Sequence, residues 1–355
     1  MSKIYRALGL MSGTSMDGID LAIIESDGKN IINSSHFSYQ AYEKEFKQKL
    51  QDLINNPVSS HKSVAIEKEL TLLHAKFVNA FIKENNIDKD SIDLISFHGH
   101  TILHQPEQNL TWQIGDAKLL ENETGIKVIS QLRVKDINLG GQGAPLVPIY
   151  HFHLFNNQQS PKAVLNIGGV SNITYIGCDN ESEIEAFDIC FGNAPLDDLV
   201  KKTIHKDFDY NGELAKQGTI NITIANQVLK TPFINQKPPK SLDRNDFNLV
   251  LKPLTKLALK DALATLCYIH AESIRINMSF LSNKPREIFI CGGGRKNIAL
   301  IDAMKTQMSD IIIRSVEEIG LDGDAIEAQA FAFIGIRNEL GLSIGLPKTT
   351  GANLV

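Results

Sequence analysis

At 355 residues, 43% of them hydrophobic, the chain has more apolar material than one ordinary core requires, which predicts two domains and excludes global disorder. A net charge of −5 without any long basic run argues against nucleic acid and anionic membranes as partners. The four cysteines, Cys178, Cys190, Cys267 and Cys291, lack Cys-x-x-Cys spacing, which argues against both a zinc site and a secreted disulfide framework.

The amino terminus does not read as a signal peptide, because Lys3 and Arg6 lead into Gly, Ser and Thr rather than a sustained apolar region. No run long enough to span a bilayer, about 20 apolar residues, follows, so the expectation is a soluble intracellular protein. Apolar residues 4–8 and 19–24 flank Gly9-Leu-Met-Ser-Gly-Thr-Ser-Met-Asp-Gly-Ile-Asp20, predicting a strand, a tight turn at Gly13-Thr14-Ser15 and a returning strand. Such a turn bares backbone N–H groups and two hydroxyls to a phosphate, although Gly, Ser and Asp also build plain hairpins. Phe46, Leu50, Leu53 and Ile54 share one helical face; Ile66, Leu70, Leu73, Phe77 and Phe81 define a longer one. Residues 92–97 read as a buried strand running into His98-Gly99-His100-Thr101, at the carboxyl end where α/β proteins tend to hold ligands. Strands at 111–114 and 127–132 flank a short helix starting near Asp116. Residues 133–145 contain Gly140, Gly141 and Gly143 and read as an irregular loop. It is either a linker or a cleft wall whose Arg133, Asp136 and Gln142 suit a sugar or phosphate, with Pro145 opening the helix of Tyr150 and His151.

The second half opens as the first does. Strand 163–167, the turn Gly168-Gly169-Val170-Ser171-Asn172 and the return at 173–176 repeat the strand, Gly/Ser turn, strand unit, which predicts a duplicated architecture with one phosphate-facing hairpin per half. Strand 184–190 leads through Gly192-Asn193-Ala-Pro195-Leu-Asp197-Asp198 into a helix, where Asn193 or Asp197 could serve simply as a cap. Asp188 differs, because a carboxylate between Phe187 and Ile189 in an apolar strand needs a partner or a task. A Pro- and Lys-bearing loop at 230–245, a long helix at 254–280 and a strand at 288–290 follow. That strand ends in Cys291-Gly292-Gly293-Gly294-Arg295-Lys296-Asn297, again bare backbone at a ligand edge. The final helix, 324–340, carries Asp324 and Glu327 near its positive end, where by default they complement the dipole.

No Walker loop, Gly-x-Gly-x-x-Gly turn or Gly-x-Ser-x-Gly elbow occurs. His98, His100, His104, His151 and His153 match no metal-ligating spacing on one helix face.

Gly9-x-Met11-Ser-Gly-Thr-Ser-x-Asp17-Gly18, His98-Gly99-x-Thr101, Gly140-Gly-Gln-Gly-Ala-Pro145, Asn166-Ile-Gly-Gly-x-Ser-Asn172, Asp188 with Gly192-Asn193 and Asp197, Gly292-Gly-Gly-x-x-Asn297 and Glu327-Ala-x-Ala-Phe-Ala332 occur in this order. Together they resemble the 1,6-anhydro-N-acetylmuramic acid kinase family across nearly the whole chain. The resemblance implies a duplicated α/β fold of the actin/hexokinase-like (ASKHA) type, two lobes around a central cleft. Residues 1–145 would carry the first phosphate hairpin, with the C-terminal helix able to pack back on them; 146–355 would carry the second hairpin, the catalytic Asp and the adenosine loop. It further implies ATP and Mg²⁺, a cytoplasmic homodimer, and a step of peptidoglycan recycling that opens the 1,6-anhydro bridge and phosphorylates O6.

By the same resemblance Asp188 is the base that activates water, and Glu327 contacts the anhydro-sugar or orients that water. Gly13, Thr14, Ser15, Met16, Asp17, Gly18, Ile19 and Asp20 would hold the β- and γ-phosphates, with Asp17 reaching Mg²⁺ through water. Gly168, Gly169 and Asn193 would also touch ATP; Gly292, Gly293, Gly294 and Asn297 would face the adenosine side. His98, Thr101, Gln142 and Gly143 would join Asp188 and Glu327 at the sugar. Two departures leave rate and sugar preference open: Asp188-Ile-Cys190-Phe-Gly192-Asn193 where the family commonly reads Asp-Thr-Gly-Pro-Gly-Asn, and His100 where Gln is usual. An ordinary N-acetylhexosamine kinase of the same fold and an actin-like nucleotide switch are the alternatives.

Overall fold

The computed structural model describes residues 3–13, 16–155, 161–242 and 247–354. The chain divides into two compact units, Met1–Asn156 with Ala325–Val355, and Asn157–Asp324. The first contains β1 (Tyr5–Ser12), β2 (Gly18–Ser26), β3 (Ile31–Ala41), α1 (Lys44–Asn55), α2 (His61–Glu84), β4 (Leu94–Gln105), β5 (Leu110–Ile114), α3 (Ala117–Thr124), β6 (Val128–Ile129), α4 (Leu132–Asn138) and α5 (Pro148–Phe155). The second contains β7 (Lys162–Ile167), β8 (Val170–Ile176), β9 (Glu185–Phe191), α6 (Ala194–Ile204), α7 (Ile222–Leu229), α8 (Pro232–Asn235), α9 (Leu259–Asn277), β10 (Glu287–Cys291), α10 (Ile298–Gln307) and β11 (Ile312–Ser315). The chain then returns to the first unit with α11 (Ile326–Glu339).

The strand order is β3-β2-β1-β4-β5 in the first sheet, with β6 also on β4, and β11-β10-β7-β8-β9 in the second. In both, a three-strand antiparallel meander is joined through its first strand to a parallel partner: β1 to β4, and β7 to β10. A further parallel strand extends each, β6 on β4 and β11 on β10. One wiring used twice is the duplicated actin/hexokinase-like topology; β5 is an antiparallel addition to the first sheet.

Ala7, Leu8 and Leu10 of β1 are fully buried on both faces, the pattern of a central strand covered by helices on each side. On one face, Phe46 and Leu50 of α1 and Ile66, Leu70 and Phe81 of α2 join Leu8, Leu10 and Leu21 in a single core. α11 packs through its backbone against β1. A Cβ at Gly9 would sit 1.9 Å from the Ala328 carbonyl oxygen, and one at Gly335 would sit 2.5 Å from the Ser96 side chain. With Ala328, Ala330, Phe331, Ala332, Phe333 and Ile334 all buried, α11 is a core helix with no polar stripe. In the second unit, Leu263, Leu266 and Ile269 of α9 close the core over Leu165, Phe187 and Ile189.

Several sequence expectations change. β4 does not stop before His98 but continues to Gln105, kinked by Gly99 at φ 72°, with a register shift against β1 between Leu10 and Ser12. Residues 127–132 yield only the two-residue β6, and Arg133 and Asp136 lie on α4 rather than in a loop. The helix of Tyr150 opens at Pro148, and Pro145, joined to Ala144 by a cis bond, lies in the preceding loop. The 254–280 helix begins at Leu259, after a 3₁₀ turn over Lys252–Lys256. β3 has no counterpart in the sequence reading: its Ser, Asn and His residues mask the strand, which lies at a sheet edge. Among the described residues no helix is long and apolar enough to cross a membrane.

Candidate active site

In the first unit the turn after β1 closes with Met16 N–H donating to Gly13 O at 3.0 Å; Thr14 and Ser15 lie outside the described residues. Met16 adopts φ 56° and turns its side chain into the core, where Ile19 also lies, so these two could offer a ligand only backbone. Gly18 has a packing reason, since a Cβ there would sit 2.3 Å from Gln40 O. Asp17 is exposed, its carbonyl accepting Tyr42 N–H at 2.9 Å, while Asp20 pairs across the sheet with Met11 and Tyr39. Beneath the turn, Ser12 Oγ lies 2.7 Å from Tyr42 Oη and 2.8 Å from His100 Nδ1. Burial pulls the His100 imidazole down to about 4 despite the nearby Asp17, so this prop is neutral at physiological pH.

His98, Gly143 and Glu327 gather around Arg133. His98 Nδ1–H donates to Gly99 O at 2.9 Å, leaving Nε2 to accept Arg133 Nε–H at 2.8 Å. Arg133 Nη1 donates to Gly143 O at 2.8 Å, and the guanidinium lies 5.7 Å from the Phe331 ring, which also meets His98 edge-on. Burial, reinforced by Arg133, holds His98 well below its ordinary value. Glu327, in the first turn of α11, is shifted upward by burial, with Arg133 opposing and Asp17 adding to the rise. Gln142 donates its N–H to Thr350 O at 2.8 Å. Thr101, further along β4, accepts Gln113 Nε2–H at 3.3 Å and takes no part in the Arg133 cluster. A cavity of about 190 Å³ opens beside His98, lined among others by Glu67, Trp112, Gln113 and Gln131.

Asp136 is not a ligand group as its loop suggested. Fully buried, its carboxylate accepts Gly143 N–H at 2.7 Å and Thr350 Oγ1–H at 2.8 Å. Gly141 and Gly345 close over it, with Cβ atoms there falling 2.2 and 1.6 Å from its oxygens. It shapes the glycine loop from inside.

In the second unit the hairpin between β7 and β8 is clasped to the end of β9: Gly169 O accepts Gly192 N–H and Gly168 O accepts Asn193 N–H, both at 2.8 Å. Packing demands Gly192, whose Cβ would fall 2.1 Å from Gly168 O. It does not demand Gly168 or Gly169, where the nearest atoms to a Cβ are 3.6 and 3.8 Å away, and neither has a positive φ. Across from them, Gly292 sits at φ 76° against Asn166, and Gly294 would drive a Cβ into Ile167 at 2.2 Å. Gly293 is open, with Asn193 Nδ2 at 3.5 Å the nearest atom. Asn193 makes no side-chain cap for α6, whereas Asn297 caps α10 by accepting Leu300 N–H at 3.2 Å. Arg295 pins the turn to Gly292 O at 3.0 Å and to Asp324 at 2.8 Å.

Asp188 is half-buried on β9 opposite Asn172. Its N–H donates to Lys240 O at 3.2 Å, and its Oδ2 accepts Leu242 N–H at 2.8 Å. The departing residues Ile189, Cys190 and Phe191 all point into the core, Phe191 against Phe247 at 5.5 Å, and burial pushes the Cys190 thiol up to about 12. Arg133 carried a signal as a polar residue beside a glycine loop. Lys240 and Leu242 carried none, because a Pro-rich loop has no periodicity to show which residues it buries.

Glycine turns at the edge of a sheet whose wiring is used twice are the framework of actin/hexokinase-like phosphotransferases. The chain belongs to the anhydro-N-acetylmuramic acid kinase family, whose model matches residues 5–355. Curated relatives bearing that name include one from Zymomonas mobilis, 37% identical with 97% of this chain and 96% of the relative covered. Others come from Rhizobium etli, 39% identical with 99% and 96% covered, and Bradyrhizobium diazoefficiens, 40% identical with 97% and 95% covered. Among the described residues no group of three or more His, Cys, Asp or Glu could hold a metal ion.

Proposed function

We propose that the protein uses ATP and water to open the 1,6-anhydro ring of anhydro-N-acetylmuramic acid, giving N-acetylmuramic acid 6-phosphate and ADP in peptidoglycan recycling. Asp188 takes a proton from a water whose oxygen bonds to C1. The C1–O6 bond breaks, O6 bonds to the γ-phosphorus, and the bond from that phosphorus to ADP breaks. A free alkoxide is a poor leaving group, and capture by phosphorus removes the need for a separate acid. The Leu242 N–H at Oδ2 orients the Asp188 carboxylate for this task. Arg133, steered by His98 and Gly143, offers a charged group to an acidic sugar, and Glu327 beside it contacts the sugar or the water.

Supporting ATP binding most directly is the bare backbone at Gly168, Gly169 and Gly293, three glycines that neither packing nor backbone conformation requires. Gly13 to Asp20 would take the β- and γ-phosphates, and Asn297 with the Gly292 turn the adenosine side. The chemistry of Asp17 suits Mg²⁺: an exposed carboxylate on a backbone fixed by Tyr42, where the ion would be shared with phosphates and waters. Bound there, the ion would offset phosphate charge. Cytoplasmic residence follows from the need for ATP, and a homodimer is the state expected in light scattering.

Incubation in ¹⁸O water with anhydro-N-acetylmuramic acid should place solvent oxygen on C1 and release ADP, whereas free N-acetylmuramic acid and N-acetylglucosamine should release little. Equal ADP release from the free sugars, with no label at C1, would convert the reading to an ordinary sugar kinase.

A further inference from the structure

Lys240 is a lysine at 5% exposure whose Nζ donates to Phe233 O at 2.9 Å and lies 4.7, 5.6 and 5.8 Å from the rings of Phe233, Phe280 and Phe187. Burying an ammonium is costly, and a Met or Leu would fill the same aromatic box without that cost. The charge therefore has a use, and its surroundings indicate which. The Lys240 main chain accepts Asp188 N–H, and two residues on, Leu242 N–H meets Asp188 Oδ2, so the segment runs beside β9 as an added edge. The titratable groups facing Lys240 among the described residues are Asp188 and Cys190, both on β9. Burial pulls the ammonium down to about 8, with Cys190 and Asp188 opposing the fall.

We propose that Lys240 is the positioning residue of the proposed base: anchored in its box of rings, it fixes where Leu242 N–H meets Asp188 and brings a buried positive charge to the same edge of β9. This rests on Asp188 being the base. Lys240→Met preserves the stem in the box and removes the charge. It should lower kcat about tenfold to a hundredfold, the scale of a misplaced reacting group, with KM for ATP within about twofold. The acid limb of the kcat profile should move to higher pH, which a merely structural loss would not produce. A folded, ATP-binding Lys240→Met with parental kcat and an unmoved acid limb overturns the proposal.

Should Lys240→Met not fold, the isotope-labelled lysine signal of the otherwise parental chain decides. Lys240 should titrate near pH 8 in the parent and lower in Asp188→Asn; an unmoved titration also overturns the coupling. Asp188→Asn with near-parental turnover would instead remove the base assignment itself, whatever Lys240→Met does.

Discussion

At the scale of single residues, the groups nearest the proposed chemistry are held by main-chain and side-chain partners alike among the described residues. Asp188 is oriented by Leu242 N–H, Arg133 by Gly143 O and the His98 ring, and Gly143 by the buried Asp136. Asp188→Asn keeps the shape and can no longer accept a proton, so turnover should fall at least about a hundredfold while ATP affinity, read by calorimetry, stays near parental. Near-parental turnover would refute the role. His100 tests a different link. Its bond to Ser12 can be remade by an amide, so His100→Gln should melt within a degree or two of the parent. His100→Leu strands the buried Ser12 and Tyr42 hydroxyl pair and should cost about 1–3 kcal/mol in chemical denaturation. A Leu variant as stable as the parent would show that the prop contributes nothing.

At the scale of elements, glycines of two kinds separate packing from function. Gly9 and Gly192 are required by neighbouring backbone, at 1.9 and 2.1 Å from a Cβ, so Gly9→Ala should loosen α11 from β1 and Gly192→Ala should open the clasp between the β7–β8 hairpin and the end of β9. Each should cost at least about 2 kcal/mol by overpacking. Gly169→Ala meets nothing nearer than 3.8 Å and should leave the melting temperature unchanged while weakening ATP binding about tenfold or more, through a methyl group where the proposed nucleotide site needs bare backbone. Unchanged affinity in that variant would remove Gly169 from the nucleotide site. The departures Ile189, Cys190 and Phe191 belong to this scale as well. Their side chains fill the core of the second unit, so restoring smaller residues should lower stability without changing which sugar is used, as competition assays with the three sugars would show.

Across the whole molecule, five buried histidines share one bias. His74 and His100 are drawn down to about 4, His151 and His270 to about 3, and His98 well below its ordinary value, each chiefly by burial. The unfolded chain binds these protons near 6.5 and the native protein does not, so stability is full above that pH and is lost as pH falls towards the native values. The slope is up to about 1.4 kcal/mol per pH unit for each group. Among the described residues Asp136 and Glu327, raised by burial, act in the opposite direction, two groups against five. Calorimetry should therefore find the melting temperature falling steeply between about pH 6.5 and 4.5. Four of the histidines lie in the first unit and one in the second, so amides of the first unit should lose exchange protection earlier on acidification. A melting temperature flat across that range would contradict the burial of these rings.

By itself the sequence determined the two strand, glycine turn, strand units, their recurrence, the order of the polar turns and the family they resemble. Period-two apolar runs and glycine turns are local, and each is complete within a dozen residues. Only the tertiary structure decided that α11 meets β1 at Gly9, that Asp136 faces inward, that β4 runs on past His98, and that Lys240 is buried beside Asp188. Each of these depends on which distant backbone arrives at a given side chain. Burial and partner are properties of that meeting, and no window of sequence contains both halves of it.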